Sequence, residues 1–367
     1  MLFRSIRIPT GGLSRYAMLF EWGTVLANSL LAGSVPGGKN MTRWRWFGSL
    51  VLMAGLVALA GSRLPVFAGD DKDLVWKAFD EKSGPFYQVL NTKTVQTMKV
   101  MNMDVKQEQD QTFYIKWTPE KQVKDNWVVK QQIIGVKMKI DIGGNKIEYD
   151  STDEKAPKNP MSDFFEALTK AELKFHIDPK TFEVKSIEGR DEFIKKLAAT
   201  NPQIDALLRA ILSEGALKQM AEPTWAAFPT EADRAKESWK KDKSWERESK
   251  LDLGPIGVYT FKNNYKWGEK DKVTIKSKLE YSAQTDPKKK EGLPFTIKEG
   301  SLTGADKGDS YAEFNRAKGR FDKSKIDMKL EGKLKIDIGG METTVELDQT
   351  QTSTVESRDD DPLQKKK

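Results

Sequence analysis

A short pattern occurs twice in the chain and restricts the fold more than any other feature. Residues 137–152 read KMKIDIGGNKIEYDST, and residues 333–350 read KLKIDIGGMETTVELDQT. In both, alternating apolar and charged residues lead into two glycines, which accept the positive φ angles of a two-residue hairpin turn. We therefore predict β-hairpins that turn at Gly143-Gly144 and at Gly339-Gly340.

The two glycine turns also determine which residues face each other across each hairpin. In the first hairpin, Ile140 faces Ile147 on one side and Lys139 faces Glu148 on the other. In the second, Leu334 faces Val345 in the equivalent apolar position. A shift of one residue would move every apolar side chain to the charged side, so both registers are strongly specified. The apolar register is shared more closely than the charge pairing, which favours a structural role over a binding motif.

Alternation in the second half of the chain indicates a long strand. Apolar residues alternate with Lys and acidic residues from Ile326 to Ile338, interrupted by Gly332. At about 3.3 Å per residue such a strand is roughly 40 Å long, and a glycine kink is typical of a curved sheet. We predict a mainly β (α+β) fold, with long curved antiparallel sheets, half-barrel or sandwich-like, recurrent hairpins and a helical insertion around 191–221.

The middle of the chain has a helical pattern. Apolar residues recur at helical spacing through Leu208, Ile211 and Met220, and Asn201 followed by Pro202 is typical of a helix start. Helices packed over a sheet are the simpler interpretation, and a lid over a cavity is the more specific one. The predicted segments are a first β-rich half at 69–190, a helical insertion at 191–222, a second β-rich half at 223–356 with a connector at 223–244, and a disordered tail at 357–367.

The N-terminal region has the pattern of a secretory leader. Residues 41–68 combine two arginines, an apolar stretch too short to span a bilayer comfortably, and small residues before a cleavage site between Ala68 and Gly69. Residues 1–40 are interpreted as an upstream extension that is not made, with translation starting at Met41. This interpretation predicts export to the periplasm, cell envelope or exterior of a Gram-negative-type bacterium.

Charge and cysteine content exclude several classes of function. Residues 1–68 hold seven of the 61 basic residues and one of the 54 acidic residues, so the remaining chain has a net charge of about +1. A nucleic-acid partner therefore loses its main support. The chain has no Cys, which excludes disulfides, thiolate catalysis and thiolate metal sites. No membrane span is expected once the leader is removed.

The sequence contains little that resembles catalytic machinery. His176 is the only histidine and alternates with apolar neighbours, so we expect it on the polar face of a strand. We predict no catalytic residues, no metal site and no cofactor. Paired carboxylates remain an alternative, because their chemistry needs only two acidic side chains. The seven Trp residues beyond the leader are predicted to be core anchors rather than a platform for sugars or lipids.

Several runs of sequence resemble a known family. They are LVWKAFDEKSGPFYQVLNTKTVQTMKVMNMDVKQEQDQTFYIKW, NPMSDFFEALTKAELKFHID, SIEGRDEF, ILSEGALKQM and KLDLGPIG. The chain resembles an uncharacterised secreted bacterial family, domain of unknown function 6263, over most of residues 74–356. The resemblance implies export and a β-rich fold and supplies no catalytic residues. At the level of fold only, the chain is also similar to periplasmic lipoprotein carriers with an open half-barrel.

Three functional hypotheses follow. The first is a non-enzymatic carrier whose curved sheet shelters an apolar small molecule or lipid under the helices. The second is a structural or interaction protein of the envelope with a protein partner, and the third is a carboxylate-based hydrolase. The ligand-facing residues predicted by the first hypothesis are Met138, Ile140, Met328, Leu330, Leu334, Ile336, Leu208 and Ile211.

Overall fold

The computed structural model describes residues 74–100, 103–153, 155, 162–199, 205–290, 293 and 295–364. The fold is mainly β, as predicted, and thirteen strands of this part of the chain form one antiparallel sheet. The strands are β1 (Phe86–Val100), β2 (Met103–Val123), β3 (Asn126–Ile142), β4 (Asn145–Asp150), β5 (Glu172–Ile177), β6 (Val184–Glu188), β7 (Ser244–Asp252), β8 (Val258–Trp267), β9 (Lys272–Ser282), β10 (Thr296–Asp306), β11 (Tyr311–Asn315), β12 (Arg320–Ile338) and β13 (Met341–Arg358). The helices are α1 (Ser162–Thr169), α2 (Arg190–Ala198), α3 (Asp205–Ile211), α4 (Glu214–Ala221), α5 (Glu231–Arg234) and α6 (Glu237–Asp242).

The order of the strands and the contacts of one short helix together show that the sheet is strongly curved. The order is β6-β5-β3-β2-β1-β13-β12-β10-β9-β8-β7, with β4 beside β3 and β11 paired with β12 and β9. In a flat sheet, ten strand spacings of about 4.8 Å would separate β6 from β7 by roughly 50 Å. Helix α4 has only eight residues and is about 12 Å long, yet it contacts both β6 and β7. The sheet therefore curls until one short helix bridges its two ends.

Both predicted hairpins are confirmed in turn and register. Ile140 pairs with Ile147 in the first hairpin, and Leu334 pairs with Val345 in the second. The second glycine of each turn has a nearly identical φ, 91° at Gly144 and 89° at Gly340. Each turn also has the same cap, because an aspartate three residues earlier accepts a hydrogen bond of 2.8 Å from that glycine's N–H. The repeated sequence is thus a repeated turn.

Gly332 lies in the predicted long strand at a point where another strand comes unusually close. Strand β12 runs through Gly332, whose φ is 152°. A Cβ atom there would lie 2.1 Å from the carbonyl oxygen of Ser301 on β10. Only glycine fits between these backbones, so the kink predicted from the sequence is a site of close strand approach.

The helical region continues past the predicted insertion into residues 223–244, the predicted connector. Helices α5 and α6 lie within it, and residues 225–228 are at most 2% exposed. The buried Arg247 of β7 donates hydrogen bonds to the carbonyl oxygens of Ala226 and Phe228, at 2.8 and 2.9 Å. These residues form no regular element of their own, so tertiary burial rather than periodicity determines their structure. The predicted helix start at Asn201 and Pro202 lies outside the described residues.

Near its C-terminus the described chain differs from the prediction of a disordered tail at 357–367. Strand β13 continues to Arg358, and Asp359 forms an ion pair with the buried Arg320 at 2.7 Å. The first residues of the predicted disordered tail are therefore structured, because β13 remains paired with β1 as far as Arg358, which faces Tyr87. The upstream extension at 1–40, the leader at 41–68 and the cleavage site at Ala68–Gly69 lie outside the described residues.

The seven Trp residues of the described chain are core anchors, as predicted. All are at most 9% exposed. Trp76, Trp117 and Trp225 all contact the ring of Phe79, which is completely buried, at centroid distances of 5.2–6.1 Å. Edge-to-face and tilted aromatic contacts of this kind add to the burial of large apolar surfaces. They fill one part of the space enclosed by the curved sheet.

Candidate functional site

The eight predicted ligand-facing residues all lie in the core. Two are on β3, four are on β12 and two are on α3. Each is at most 2% exposed, and all belong to one continuous apolar cluster. The apolar face of β12 is thus confirmed, but it is closely packed in this structure.

Between β3 and β12 a central part of the inward face of the sheet is polar rather than apolar. Nine uncharged polar side chains on β13, β1 and β2 form three rows of three, which we call the polar grid. Each member is at most 7% exposed. The rows are Ser353, Thr92 and Gln111; Gln351, Thr94 and Gln109; and Gln349, Gln96 and Gln107.

The predicted apolar residues frame the polar grid on both sides. Gln111 faces Met138 of β3 in the strand register. On the other side, Gln351 faces Met328 and the next row faces Leu330. Four of the eight predicted residues therefore border the grid, whereas Leu334, Ile336, Leu208 and Ile211 lie elsewhere in the core. The predicted residues thus form apolar borders, and the surface between them, for which no prediction was made, is polar.

Hydrogen bonds inside the polar grid satisfy only part of its capacity. The amide of Gln107 donates to Oε1 of Gln109 at 3.1 Å, and the amide of Gln351 donates to Oγ of Ser353 at 3.2 Å. In the part of the chain that the structure describes, neither amide atom of Gln111 has a hydrogen-bond partner. The same holds for Oγ1 of Thr94 and for Oε1 of Gln107 and Gln351. A buried polar group left unpaired costs about 1–3 kcal/mol.

The sequence carries a signal for the polar grid that the periodicity argument missed. Residues 92–96 read TKTVQ, residues 107–111 read QEQDQ, and residues 349–353 read QTQTS. In each, Gln, Thr or Ser occupies alternate positions. The positions between them hold mostly charged or other polar side chains, so no apolar face marks the inward side. Only the pairing of the three strands shows that the alternate residues share one buried surface.

A pocket lies further along β2 from the polar grid, between the sheet and the helices. Its volume is about 50 Å³, and its walls come from β2, β3, β5 and helices α1, α2 and α4. Gln131 is the one polar side chain among its lining residues, and the apolar ones include Ile115, Phe193, Leu217 and Met220. None of the eight predicted residues lines this pocket. It does lie at the predicted place, under the helical insertion.

An acidic side chain lies beyond the apolar border on β12. Asp306 of β10 faces Met328, which in turn faces Gln351 of the polar grid. Burial raises the pKa of Asp306 to about 6, although its Oδ2 accepts a hydrogen bond of 3.0 Å from the N–H of Ser277. Asp306 therefore carries a negative charge above that pH and lies two strands from the grid, about 10 Å.

The single histidine of the sequence is paired with an acidic side chain. His176 lies on β5, and its Nε2 is 2.7 Å from Oε1 of Glu188 on the neighbouring β6. Among the described residues, no group of three or more acidic or histidine side chains could hold a metal ion. In the same residues, none of the helices combines the length and apolar character needed to cross a membrane.

Comparisons with known proteins give a family but no activity. A model of a family described as a family of unknown function matches residues 124–314. No curated protein matches the chain at a significant level. A solved structure describing lipid–protein interactions in lipovitellin is 8% identical, with a TM-score of 0.36, and the match covers 73% of this chain and 25% of that one.

The other structural similarities are weaker. The Pseudomonas aeruginosa protein OccK5 is 5% identical, with a TM-score of 0.23 and coverage of 75% of this chain and 98% of that one. The related OccK7 is 8% identical, with a TM-score of 0.20 and coverage of 75% and 99%. The chain spans about a quarter of the lipovitellin chain. All of these scores are too low to support a functional argument.

Proposed function

Since the chain belongs to the family of unknown function DUF6263, whose description assigns no activity, we propose a function from its geometry. The protein is an exported, non-enzymatic binding protein that holds the apolar part of a ligand between the curved sheet and the helices. The observation that supports this proposal best is the pocket of about 50 Å³ under α1, α2 and α4.

The lining of the pocket suits a hydrocarbon. Its walls are aliphatic and aromatic apart from Gln131, and an apolar cavity of this kind stays dry and accepts apolar molecules. A cavity that binds benzene has a volume of about 150 Å³, so a lipid chain needs more room than the pocket now offers. The ligand therefore enters by displacing the helices.

The helices of the helical layer are short and pack against the sheet in one apolar cluster. Helices α2, α3 and α4 have only seven to nine residues each, and helices this short depend on packing for their stability. A polar contact with the sheet is the hydrogen bond that Nζ of Lys218 donates to the carbonyl oxygen of Lys185 at 2.8 Å. The layer can shift while the ladder of strand hydrogen bonds stays intact.

One isolation experiment tests both export and binding. The protein is purified from its native host without detergent and measured by native and denaturing mass spectrometry. We expect a chain that begins at Gly69 and carries one apolar molecule, which is lost on denaturation. A mass that includes residues 41–68 would contradict cleavage of the leader, and a bare mass with no uptake of added lipid would contradict the carrier.

Variants locate the binding in the pocket. Met220→Trp fills the pocket, and we expect it to abolish uptake of a fluorescent apolar probe. Glu214→Gln on the same helix is exposed and serves as the control that retains uptake. If Met220→Trp does not fold, Leu168→Trp fills the pocket from α1 instead. Unchanged uptake in a folded pocket variant would contradict the proposed site.

A structural envelope protein is the second candidate. It is favoured by the close packing of the eight predicted residues, each at most 2% exposed. On this alternative the pocket is a packing defect and the helices never open. A bare mass in the isolation experiment would select it and direct attention to protein partners.

A further inference from the structure

The polar grid has the chemistry of a recognition surface for a neutral polar group. Its six Gln, two Thr and one Ser side chains offer both donors and acceptors, and none carries a charge. Buried polar groups that serve only the fold normally satisfy each other. Gln88 of β1 is an example of such a satisfied group. Its Oε1 accepts a hydrogen bond from Trp117 at 2.7 Å, and its amide donates one to Ser357 at 3.2 Å.

Gln111 differs from Gln88 in this respect. It is completely buried, and neither its amide nitrogen nor its carbonyl oxygen is hydrogen-bonded within the described part of the chain. Thr94 beside it leaves its hydroxyl oxygen unpaired, and Gln351 leaves its Oε1 unpaired. Hydroxyl or amide groups of a ligand would supply the donors and acceptors that these three side chains lack. An apolar core of the same volume would avoid the free-energy cost of burying these unpaired polar groups.

The polar grid and the pocket lie on the same inward face of β2. Gln111, Phe113 and Ile115 follow one another on this face, and Ile115 lines the pocket. Four residues of extended strand separate Gln111 from Ile115 by about 13 Å. A single amphiphilic molecule can therefore place its chain in the pocket and its polar end on the grid.

The charges around the polar grid disfavour an ionic headgroup. The outward face of the same strands holds the nearby cations, such as Lys93, which pairs with Asp110 at 3.4 Å. On the inward side Asp306 lies beyond the border, where it faces Met328. The nine grid residues supply no cation to an anionic headgroup, which would also lie on the same side of the sheet as this carboxylate. A cationic headgroup is disfavoured as well, because an ammonium buried without an adjacent counter-ion loses its hydration at a large cost in free energy.

We infer that the polar grid binds the uncharged, hydroxyl- or amide-bearing headgroup of an amphiphile whose chain occupies the pocket. This inference rests on the proposed function. It names the substrate class as neutral lipids, such as monoacylglycerols or neutral glycolipids, rather than fatty acids or phospholipids.

A competition assay tests the inference with defined probes. A fluorescent apolar probe bound to the protein is displaced by 1-monooleoylglycerol or by oleic acid at pH 8, where the acid is ionised. We expect monooleoylglycerol to compete about tenfold more strongly or better, the change expected when buried hydrogen bonds are made for one headgroup only. Displacement at equal concentrations would overturn the polar grid as a headgroup site while leaving the pocket intact.

Variants of the grid complete the test. Gln111→Leu keeps the side-chain size and removes both amide atoms, so we expect the preference for monooleoylglycerol to fall to within about twofold while the apolar probe still binds. Glu108→Gln on the outward face of the same strand is the matched control and keeps the preference. If Gln111→Leu fails to fold, Thr94→Val replaces it. An unchanged preference in a folded grid variant would overturn the inference, whereas failure of every probe to bind would overturn the proposed function itself.

Discussion

The pair formed by Asp233 and Arg247 connects the helices to one end of the sheet. Their side chains are 7% and 6% exposed and approach to 2.6 Å. Burial alone would raise the pKa of Asp233, but the guanidinium of Arg247 and hydrogen bonds from Arg247, Lys236 and Thr230 lower it to about 2. The same Asp233 closes the capping box that begins α5. One carboxylate thus holds a helix start and a buried cation.

We predict that Asp233→Ala lowers the free energy of unfolding by about 3–5 kcal/mol at pH 7, because it leaves Arg247 buried without its partner. The control Glu148→Gln, in an exposed pair with Lys139, should cost at most about 1 kcal/mol. Urea denaturation measures both. The folded pKa of Asp233 lies below its ordinary 3.8, so its contribution is complete above that value and is lost as the pH falls towards 2. Equal losses in the two variants at pH 7 would refute the role of the buried pair.

At the level of elements, the two glycine turns offer a matched comparison. Gly144 and Gly340 have φ values of 91° and 89°, and a Cβ added at either would meet no atom within 4 Å, so conformation alone requires glycine there. We predict that Gly144→Ala and Gly340→Ala each cost about 1–2 kcal/mol, the penalty of a left-handed alanine. Gly215→Ala in α4 has equal space and no positive φ and should stabilise the protein by about 0.5–1 kcal/mol. Thermal unfolding measures all three, and clearly unequal costs at the two turns would show that they are not equivalent.

The same elements show how far sequence alone can predict this fold. The turns, the registers and the long β12 follow from local patterns, since glycine pairs and a period of two act within a few residues. The polar grid could not be predicted in this way, because Thr92 and Gln111 of β1 and β2 share one surface with Ser353 only when the distant strand β13 pairs with β1. Arg247 reaches Ala226 and Phe228 only in the folded chain, so the burial of this stretch could not be predicted for the same reason.

The whole molecule combines a sheet of long-range pairings with a helical layer across its open side. Strand β1 pairs with β13, so residues near 90 are joined to residues near 355 at the centre of the sheet. Such pairing close to both ends of the described chain is slow to form but well protected once formed, because both strands have a neighbour on each side. Helices α2, α3 and α4 lack a comparable ladder and depend on packing over the sheet and its two ends.

This difference predicts two levels of stability within one molecule. In native-state hydrogen exchange, we expect amides of α2, α3 and α4 to exchange at least about tenfold faster than those of β1 and β13, because short helices open locally without breaking the central pairing. Addition of monooleoylglycerol should slow exchange in the helices and leave the central strands unchanged. Exchange of helices and central strands at one common rate would mean that the helical layer opens only when the sheet unfolds. Entry of a ligand beneath the helices would then require global unfolding, and the pocket could not serve a carrier.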